Sequence, residues 1–361
     1  MAADPRPIAL ALQGGGSHGA FTWGALDRLL EEVAAGRLHI TAISGASAGA
    51  LNAALTATGL VQGGPDLARQ RLAAFWRGVA ESGFLGGNPL FYGEPGPFGS
   101  FNLDTSPIAI ALEMLSVVVS PYTNLFYRDA LAPLIAAAFS DGDLAALNAA
   151  AAPRLFIGAT DVANDARVVF SQPDITRDTL RASAALPTEF QAVSIDGVPF
   201  WDGGFLGNPP LSPLLGHTDD IVLVLVNAFR RSGMPPRSAP AIMDRLNEIT
   251  FNASVVLELN AIEAINRLLA QLPDDAKHRP PDYRPIHIHA IRDDRLAARL
   301  GFQSKNSTSW LLLSELRDAG YRTAAHWLAA HGDDIGARSS LDVKAALIDP
   351  VLKAPPPSRR R

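Results

Sequence analysis

The stretch Ile40-Thr41-Ala42-Ile43-Ser44-Gly45-Ala46-Ser47-Ala48-Gly49 decides the fold. A short β-branched run passes directly into a turn of small residues, and an alanine-rich helix follows to about Gly59. The same order stands one unit earlier. Ile8-Ala9-Leu10-Ala11-Leu12 ends in Gly14-Gly15-Gly16-Ser17-His18-Gly19, after which Ala20, Phe21, Gly24, Ala25, Leu29 and Val33 recur at helical spacing opposite Asp27, Arg28, Glu31 and Glu32. Gly36 sits where a helix C-terminal cap belongs. A strand, helix and strand of this length predict parallel pairing in an α/β sheet.

Farther along, Leu155 to Thr160 and Arg167 to Phe170 flank Asn164-Asp165, a hairpin signal, and Ile221 to Val226 has the apolar β-branched composition of a strand buried on both faces. Ser82 to Pro107 is rich in Gly, Pro, Phe and Tyr without a period and reads as a long loop. Ile108 to Val119 contains Glu113, is too short to cross a bilayer, and reads as a buried helix. Arg231-Ser232-Gly233-Met234-Pro235-Pro236 interrupts the pattern, after which Ile242 to Leu272 reads as one long helix or a close pair, and Leu311 to Ala330 as a helix. Ile286 to Ile291 alternates as a strand able to rejoin the core sheet. The expected organisation is a core over residues 7–231, a mainly helical extension over 232–345 and a disordered tail over 346–361.

Composition narrows the function. The 361 residues, 48% hydrophobic, suffice for a large buried core. A net charge of -5 leaves no electrostatic footprint for nucleic acid. No cysteine is present, which removes disulfides, thiolate catalysis and cysteine-ligated metals; with histidines scattered, neither a metal nor another cofactor is expected. The first residues lack a basic segment leading into a long apolar run, so a cytoplasmic protein is expected.

Gly45-Ala46-Ser47-Ala48-Gly49 fits G-x-S-x-G, which seats a serine on a sharp strand-to-helix turn at the positive end of the helix. The alternative is a tight turn whose serine merely caps the helix. Gly14-Gly15-Gly16-Ser17-His18-Gly19 brings consecutive amides together at a strand end, as an oxyanion hole requires. It also matches G-x-G-x-x-G, but Ile43 and Ser44 bring no acidic residue to the next strand end for a ribose, and the Lys-Ser or Lys-Thr of a P-loop is missing. Asp202-Gly203-Gly204 follows the strand-like Val198-Pro199-Phe200-Trp201; it reads either as an ordinary turn or as an aspartate carried to a strand end. His217, His287, His289, His326 and His331 follow in the order a Ser-Asp-His triad needs, although this elbow comes earlier than such a fold places it. His287 and His289 share one side of their strand and read first as a polar face.

Taken together, a strand followed by Gly-Gly-Gly-Ser-His-Gly, a Gly-x-Ser-x-Gly elbow one unit later, and a distant Asp-Gly-Gly preceded by Arg181-Ala182-Ser183-Ala184-Ala185-Leu186-Pro187 resemble the patatin-like phospholipase family over Ile8 to Val226. The region beyond Ser232 is similar, less specifically, to the helical extension of some bacterial members. The resemblance implies a three-layer α/β fold, its mostly parallel central sheet covered by helices on both faces. It implies a serine acyl-ester hydrolase acting through a dyad, with Ser47 as nucleophile, Asp202 as base and the Gly15, Gly16 and Ser17 amides as oxyanion donors. Gly14, His18, Gly19, Gly45, Gly49, Gly203 and Gly204 support those motifs. Histidine at position 18 departs from the Arg or Lys common there, and puts recognition of anionic lipid at that point in doubt. A lipid or long-chain acyl ester is the implied substrate, with transient contact at a membrane surface. Phe84, Leu85, Leu90, Phe91, Tyr92, Phe98 and Phe101 read either as aromatics and leucines that pin the loop by their own burial or as a wall or lid for the acyl chain. The same acyl-enzyme would serve an acyltransferase, and the fold without the chemistry would serve a lipid-binding module.

Overall fold

A computed structural model describes residues 4–82, 120–124, 127–229, 235, 237, 239–272, 284–300 and 302–348. The aromatic loop residues from Phe84 to Phe101, the Ile108 to Val119 stretch and the tail from position 349 lie outside the described residues.

Strand β1 (Arg6–Leu12) leads into α1 (Gly19–Ala34), and β2 (Leu38–Gly45) into α2 (Ala48–Gly63) and α3 (Pro65–Ser82). Helices α4 (Leu131–Ala138) and α5 (Asp141–Ala149) precede the hairpin β3 (Arg154–Asp161) and β4 (Ala166–Ser171), then α6 (Arg177–Ser183). Strands β5 (Val193–Ile195), β6 (Val198–Asp202) and β7 (Asp220–Leu225) follow. The chain closes with α7 (Ala239–Leu269), β8 (His287–Arg292), α8 (Asp294–Arg299), α9 (Trp310–His331) and a π-helical turn over Lys344–Ile348, which overlaps the start of the expected tail.

All these strands form one sheet with β1 near its centre, flanked in parallel by β2 and β7, then by β3 and β8. The pleat sorts the central residues into two cores. Ile8, Leu10, Leu12, Val222 and Val224 pack with α1, α2, α3 and α9, whereas Ala9, Ala11, Ile221, Leu223 and Leu225 pack with Val255, Leu259 and Ile262 of α7. The result is the three-layer α/β arrangement the sequence predicts, with helices on both faces.

The hairpin strand β3 makes the decisive connection. Ile157 pairs with Gly45 of β2 and with Phe170 of β4, so those two strands lie on opposite edges of β3. Ala159 pairs with Val168 of β4 and with Asp202 of β6. Strands β2 and β6 therefore share one edge of β3, one after the other, with their C-terminal ends converging. The elbow after Gly45 and the aspartate at the end of β6 meet because of this register.

The C-terminal region is built into the same body. Strand β8 extends the sheet beside β7, and α9 crosses α1 so closely that a Cβ on Gly24 would overlap the Arg317 carbonyl and one on Gly320 the Phe21 carbonyl. Arg317 seals the crossing with hydrogen bonds from Nε (3.0 Å) and Nη2 (2.7 Å) to buried Asp27. Among the described residues, no helix is long and apolar enough to cross a membrane.

Candidate active site

Ser47 lies between the end of β2 and the start of α2, at φ 55° and ψ −132°. A non-glycine residue adopts this conformation only where its surroundings enforce it. Its own N–H is held by Ser183, at 3.0 Å to the carbonyl and 3.1 Å to Oγ. The Ser47 side chain makes no capping hydrogen bond to α2, so the hydroxyl is not spent as an ordinary N-cap.

Asp202 is fully buried. Its main-chain N–H donates to Ala185 O at 2.9 Å, and its Oδ1 accepts the Gly204 N–H at 2.7 Å. Burial pushes its pKa up to about 7, partly opposed by hydrogen bonding from the Ser47 side chain and from the Gly204 N–H. Oδ2 is otherwise buried without a well-formed hydrogen bond, which leaves it available to the neighbouring hydroxyl.

The glycine turn is pressed against this pair. A Cβ on Gly14 would strike Ala46 O and Ser47 Cβ. The Gly14 N–H donates to Asn208 Oδ1 at 2.7 Å, and Asn227 Nδ2 donates to Gly14 O at 3.1 Å. Gln13 Oε1 accepts the N–H groups of Val226 and Asn227 at 2.9 and 3.0 Å, tying the turn to the end of β7. Gly16 has φ +58°, and the short 3-10 turn Gly16–His18 makes its first internal bond from His18 N to Gly15 O at 3.2 Å. The N–H groups of Gly15, Gly16 and Ser17 precede that bond, so the turn itself uses none of them.

Gly15, Gly16 and Ser47 line one small cavity of about 50 Å³ with Leu186, Phe205 and Phe251. A neighbouring cavity of about 240 Å³ shares Pro187 and Phe205 with it and is lined further by Thr160, Asp165, Trp201 and Leu206. A Cβ would meet main chain at Gly45 (Gly49), Gly49 (Leu12) and Gly203 (Gly158), and side chains at Gly19 (Ala48, Trp76) and Gly204 (Asp202, Phe251). His18 is buried, with Nε2 2.7 Å from Ser304 Oγ.

Four of the five downstream histidines are engaged elsewhere, and His326 is exposed on α9. His217 packs its ring on Phe156 at 5.4 Å, and His331 Nδ1 lies 2.9 Å from Asp334. His287 and His289 share one polar side of their strand, as their alternation suggests, and both face Asp220. Asp220 Oδ1 receives His287 Nδ1 at 3.3 Å, His289 Nε2 at 3.0 Å and the Gly336 N–H at 2.8 Å, and His289 is wholly buried. This cluster sits at the N-terminal ends of β7 and β8, across the sheet from Ser47 at the C-terminal end of parallel β2.

Sequence reading missed Asn208, Asn227, Phe251 and Lys305 as neighbours of the site, since each reaches it by long-range packing and none stands in a distinctive local motif, and it passed over Gln13, which adjoins the glycine turn but whose partners Val226 and Asn227 are distant.

The fold and this arrangement define a three-layer α/β protein with a serine elbow beside a glycine-rich turn. The patatin-like phospholipase family model matches residues 10–215, more than half of the chain, and the chain belongs to that family. Membership makes it, at the level of the family, a lipid acyl hydrolase. Among solved structures, the crystal structure of VipD from Legionella pneumophila is similar at 15% identity with a TM-score of 0.41, over 91% of this chain and 68% of that one. No curated protein matches the sequence.

Proposed function

We propose that the protein hydrolyses a lipid or long-chain acyl ester through an acyl-enzyme on Ser47, with Asp202 as the base and the Gly15, Gly16 and Ser17 amides as the oxyanion hole. The observation that carries this reading is the wholly buried Asp202 carboxyl beside Ser47, its pKa raised to about 7. An ordinary carboxylate, near 3.9, is a poor base at neutral pH. One raised to about 7 accepts a proton and still ionises at working pH.

In the first half-reaction Asp202 takes the Ser47 proton as Oγ attacks the ester carbonyl. The amides of the glycine turn receive the negative oxygen, each such donor contributing about 3 kcal/mol in acyl-transfer enzymes. Protonated Asp202 then passes the proton to the departing alcohol. In the second half-reaction water, deprotonated by Asp202, attacks the acyl-serine and restores both residues. The strained backbone at Ser47 aims the hydroxyl without cost at the moment of reaction.

Ester hydrolysis by the purified chain, and labelling by a fluorophosphonate probe, are expected to vanish in Ser47→Ala. Asp202→Asn is expected to lose about a thousandfold or more in kcat. Full activity in Ser47→Ala would end this reading, and near wild-type activity in Asp202→Asn would require another base.

A further inference from the structure

Helix α7 has two sides with different surroundings. Its inner side packs Val255, Leu259 and Ile262 on the sheet, and its Asn247 and Phe251 line the Ser47 cavity. Between Arg245 and Ile262 its exposed residues are Leu246, Ile249, Thr250, Ala253, Leu257 and Ala261, and none of them is charged. Leu246, Ile249 and Leu257 are 51%, 50% and 69% exposed, and Ile242 and Leu268 prolong the row at either end. The three charged residues of the span are turned to partners instead: Arg245 to buried Glu248 at 3.1 Å, and Glu258 to Arg167 and to the Leu211 N–H at 3.0 Å. Thr250 donates its hydroxyl to the Leu246 carbonyl at 2.9 Å, so the one polar side chain of the exposed row is satisfied within the helix.

An apolar row of this kind fits either another protein or a lipid surface. Its size argues against a second copy. From Ile242 to Leu268 it runs about 40 Å and is about 10 Å wide, roughly 400 Å², which is half of the ~800 Å² that each partner gives to a stable protein interface. Its position favours lipid, because the same turns of α7 border the cavity of the proposed nucleophile. Leu246 directly precedes Asn247, and Phe251 meets Phe205 edge-on with ring centroids 5.2 Å apart; the next residue, Leu206, is a further exposed leucine and lines the adjoining cavity. Charge then selects the lipid. A helix that seeks anionic lipid carries Lys and Arg along its contact face. Here Arg267, at the far end, lies 4.0 Å from Glu263, and the chain as a whole carries a net charge of -5.

We propose that the outer face of α7 docks on an electrically neutral lipid surface, lying along it with Leu246, Ile249 and Leu257 inserted beside the Ser47 cavity. The proposal rests on the lipid-ester reading for what docking achieves, the delivery of an ester to Ser47. The docking itself needs neither Ser47 nor Asp202.

Sedimentation of the full chain with phosphatidylcholine vesicles is expected to show binding that survives a rise from about 0.1 M to about 0.5 M salt and gains less than about twofold when phosphatidylglycerol is mixed in. Ile249→Gln combined with Leu257→Gln is expected to lower the bound fraction's partition coefficient about tenfold or more, and hydrolysis of monooleoylglycerol carried in the vesicles with it, while kcat/KM for a short-chain ester dissolved as monomer stays within about twofold of wild type. No binding by the wild type, an unchanged partition in the double variant, or binding that requires the anionic lipid overturns the proposal. So does a wild type that is dimeric by light scattering with a monomeric double variant, which would assign the face to a second copy. The chain has no cysteine, so if the double variant does not fold, Leu257→Cys labelled with an environment-sensitive fluorophore gives a second readout. Its emission is expected to shift to the blue on addition of vesicles, unlike that of a label at Asp141→Cys, an exposed site on α5 in the opposite helical layer. Equal responses from the two labels overturn the proposal. Hydrolysis retained in a Ser47→Ala variant that binds vesicles normally would instead bring down the nucleophile reading and leave the docking in place.

Discussion

Ser47 and Asp202 hang from one short segment: the Ser47 N–H is held by Ser183 and the Asp202 N–H by Ala185, two residues farther along. The segment fixes the relative placement of two residues 155 positions apart (202 − 47) through main-chain bonds, independently of their side chains. Because burial raises the Asp202 pKa to about 7, the base is the ionised fraction of that carboxyl. Below about pH 7, kcat/KM for an ester is expected to rise about tenfold per pH unit and to level off above it. A rate flat from about pH 5 to 8 would show that the group titrating in the free enzyme is not Asp202.

The same burial has a stability cost of defined sign. The folded protein holds the Asp202 proton more tightly than the unfolded chain, whose aspartates ionise near 3.9. Stability is therefore lost as pH rises from about 4 through about 7, on the order of a few kcal/mol in all. Asp202→Asn keeps the shape and the acceptor for the Gly204 N–H without the charge. It is expected to melt higher than wild type at pH 8 and to lose that advantage by pH 5. Thermal melts at the two pH values decide it: a difference independent of pH would mean that Asp202 ionises without penalty.

Asn208 holds the glycine turn against the elbow. Its replacement by alanine leaves the buried Gly14 N–H without its 2.7 Å acceptor, a loss of about 1–3 kcal/mol. Since the turn is positioned by this bond and carries the proposed oxyanion donors, kcat is expected to drop about 10- to 100-fold in Asn208→Ala with KM changed less than about threefold. Steady-state kinetics on a soluble ester separate the two; an effect confined to KM would place Asn208 in substrate binding instead.

Much of this arrangement was legible in the sequence, for identifiable reasons. The turns at Gly14 and Gly45 announce themselves because close backbone approach admits only small residues, and the run Ile221 to Val226 because a strand covered on both faces must be apolar throughout. What stayed hidden are relationships set by register and long-range packing. Nothing local in Val198–Asp202 says that β6 continues the edge β2 leaves, and Ser304-Lys305-Asn306 is an ordinary polar run until α9 docks. The alternation of His287 and His289 was visible as a strand, but the partner that buries them, Asp220, is 67 residues away from His287 and pairs with it across the sheet.

The crossing of α1 and α9 is where the C-terminal region commits to the core. In Gly320→Ala the new methyl group meets the Phe21 carbonyl of a packed helix, and the helices must separate. A loss of about 1–3 kcal/mol or more is expected, along with lower activity, because α9 follows the turn Phe302–Asn306 that packs on Gly16 beside the Ser47 cavity. Gly142→Ala, where the nearest atom is the Ser140 hydroxyl at 3.8 Å within an α-helix, is the matched control and is expected to be neutral or slightly stabilising. Equal denaturation midpoints for the two variants would mean that the crossing is loose.

Asp220 offers a test that stability and catalysis are separable in this molecule. Burial alone would raise its pKa, but hydrogen bonds from His289 and Gly336 and the charges of His287 and His289 outweigh it, and the net shift is downward. A carboxyl with a depressed folded pKa contributes stability that is present above the unfolded value near 3.9 and is lost as pH falls through the folded one. Asp220→Asn removes the charged acceptor, and unfolding at pH 7 is expected to become easier by about 2–3 kcal/mol. The gap to wild type should narrow as both are taken below about pH 4. Hydrolysis at 25 °C should stay close to wild type, since Ser47 lies at the opposite end of the sheet. A pH-independent gap would show that the loss comes from packing alone, and a large drop in kcat for protein that remains folded would mean that the two ends of the sheet are coupled.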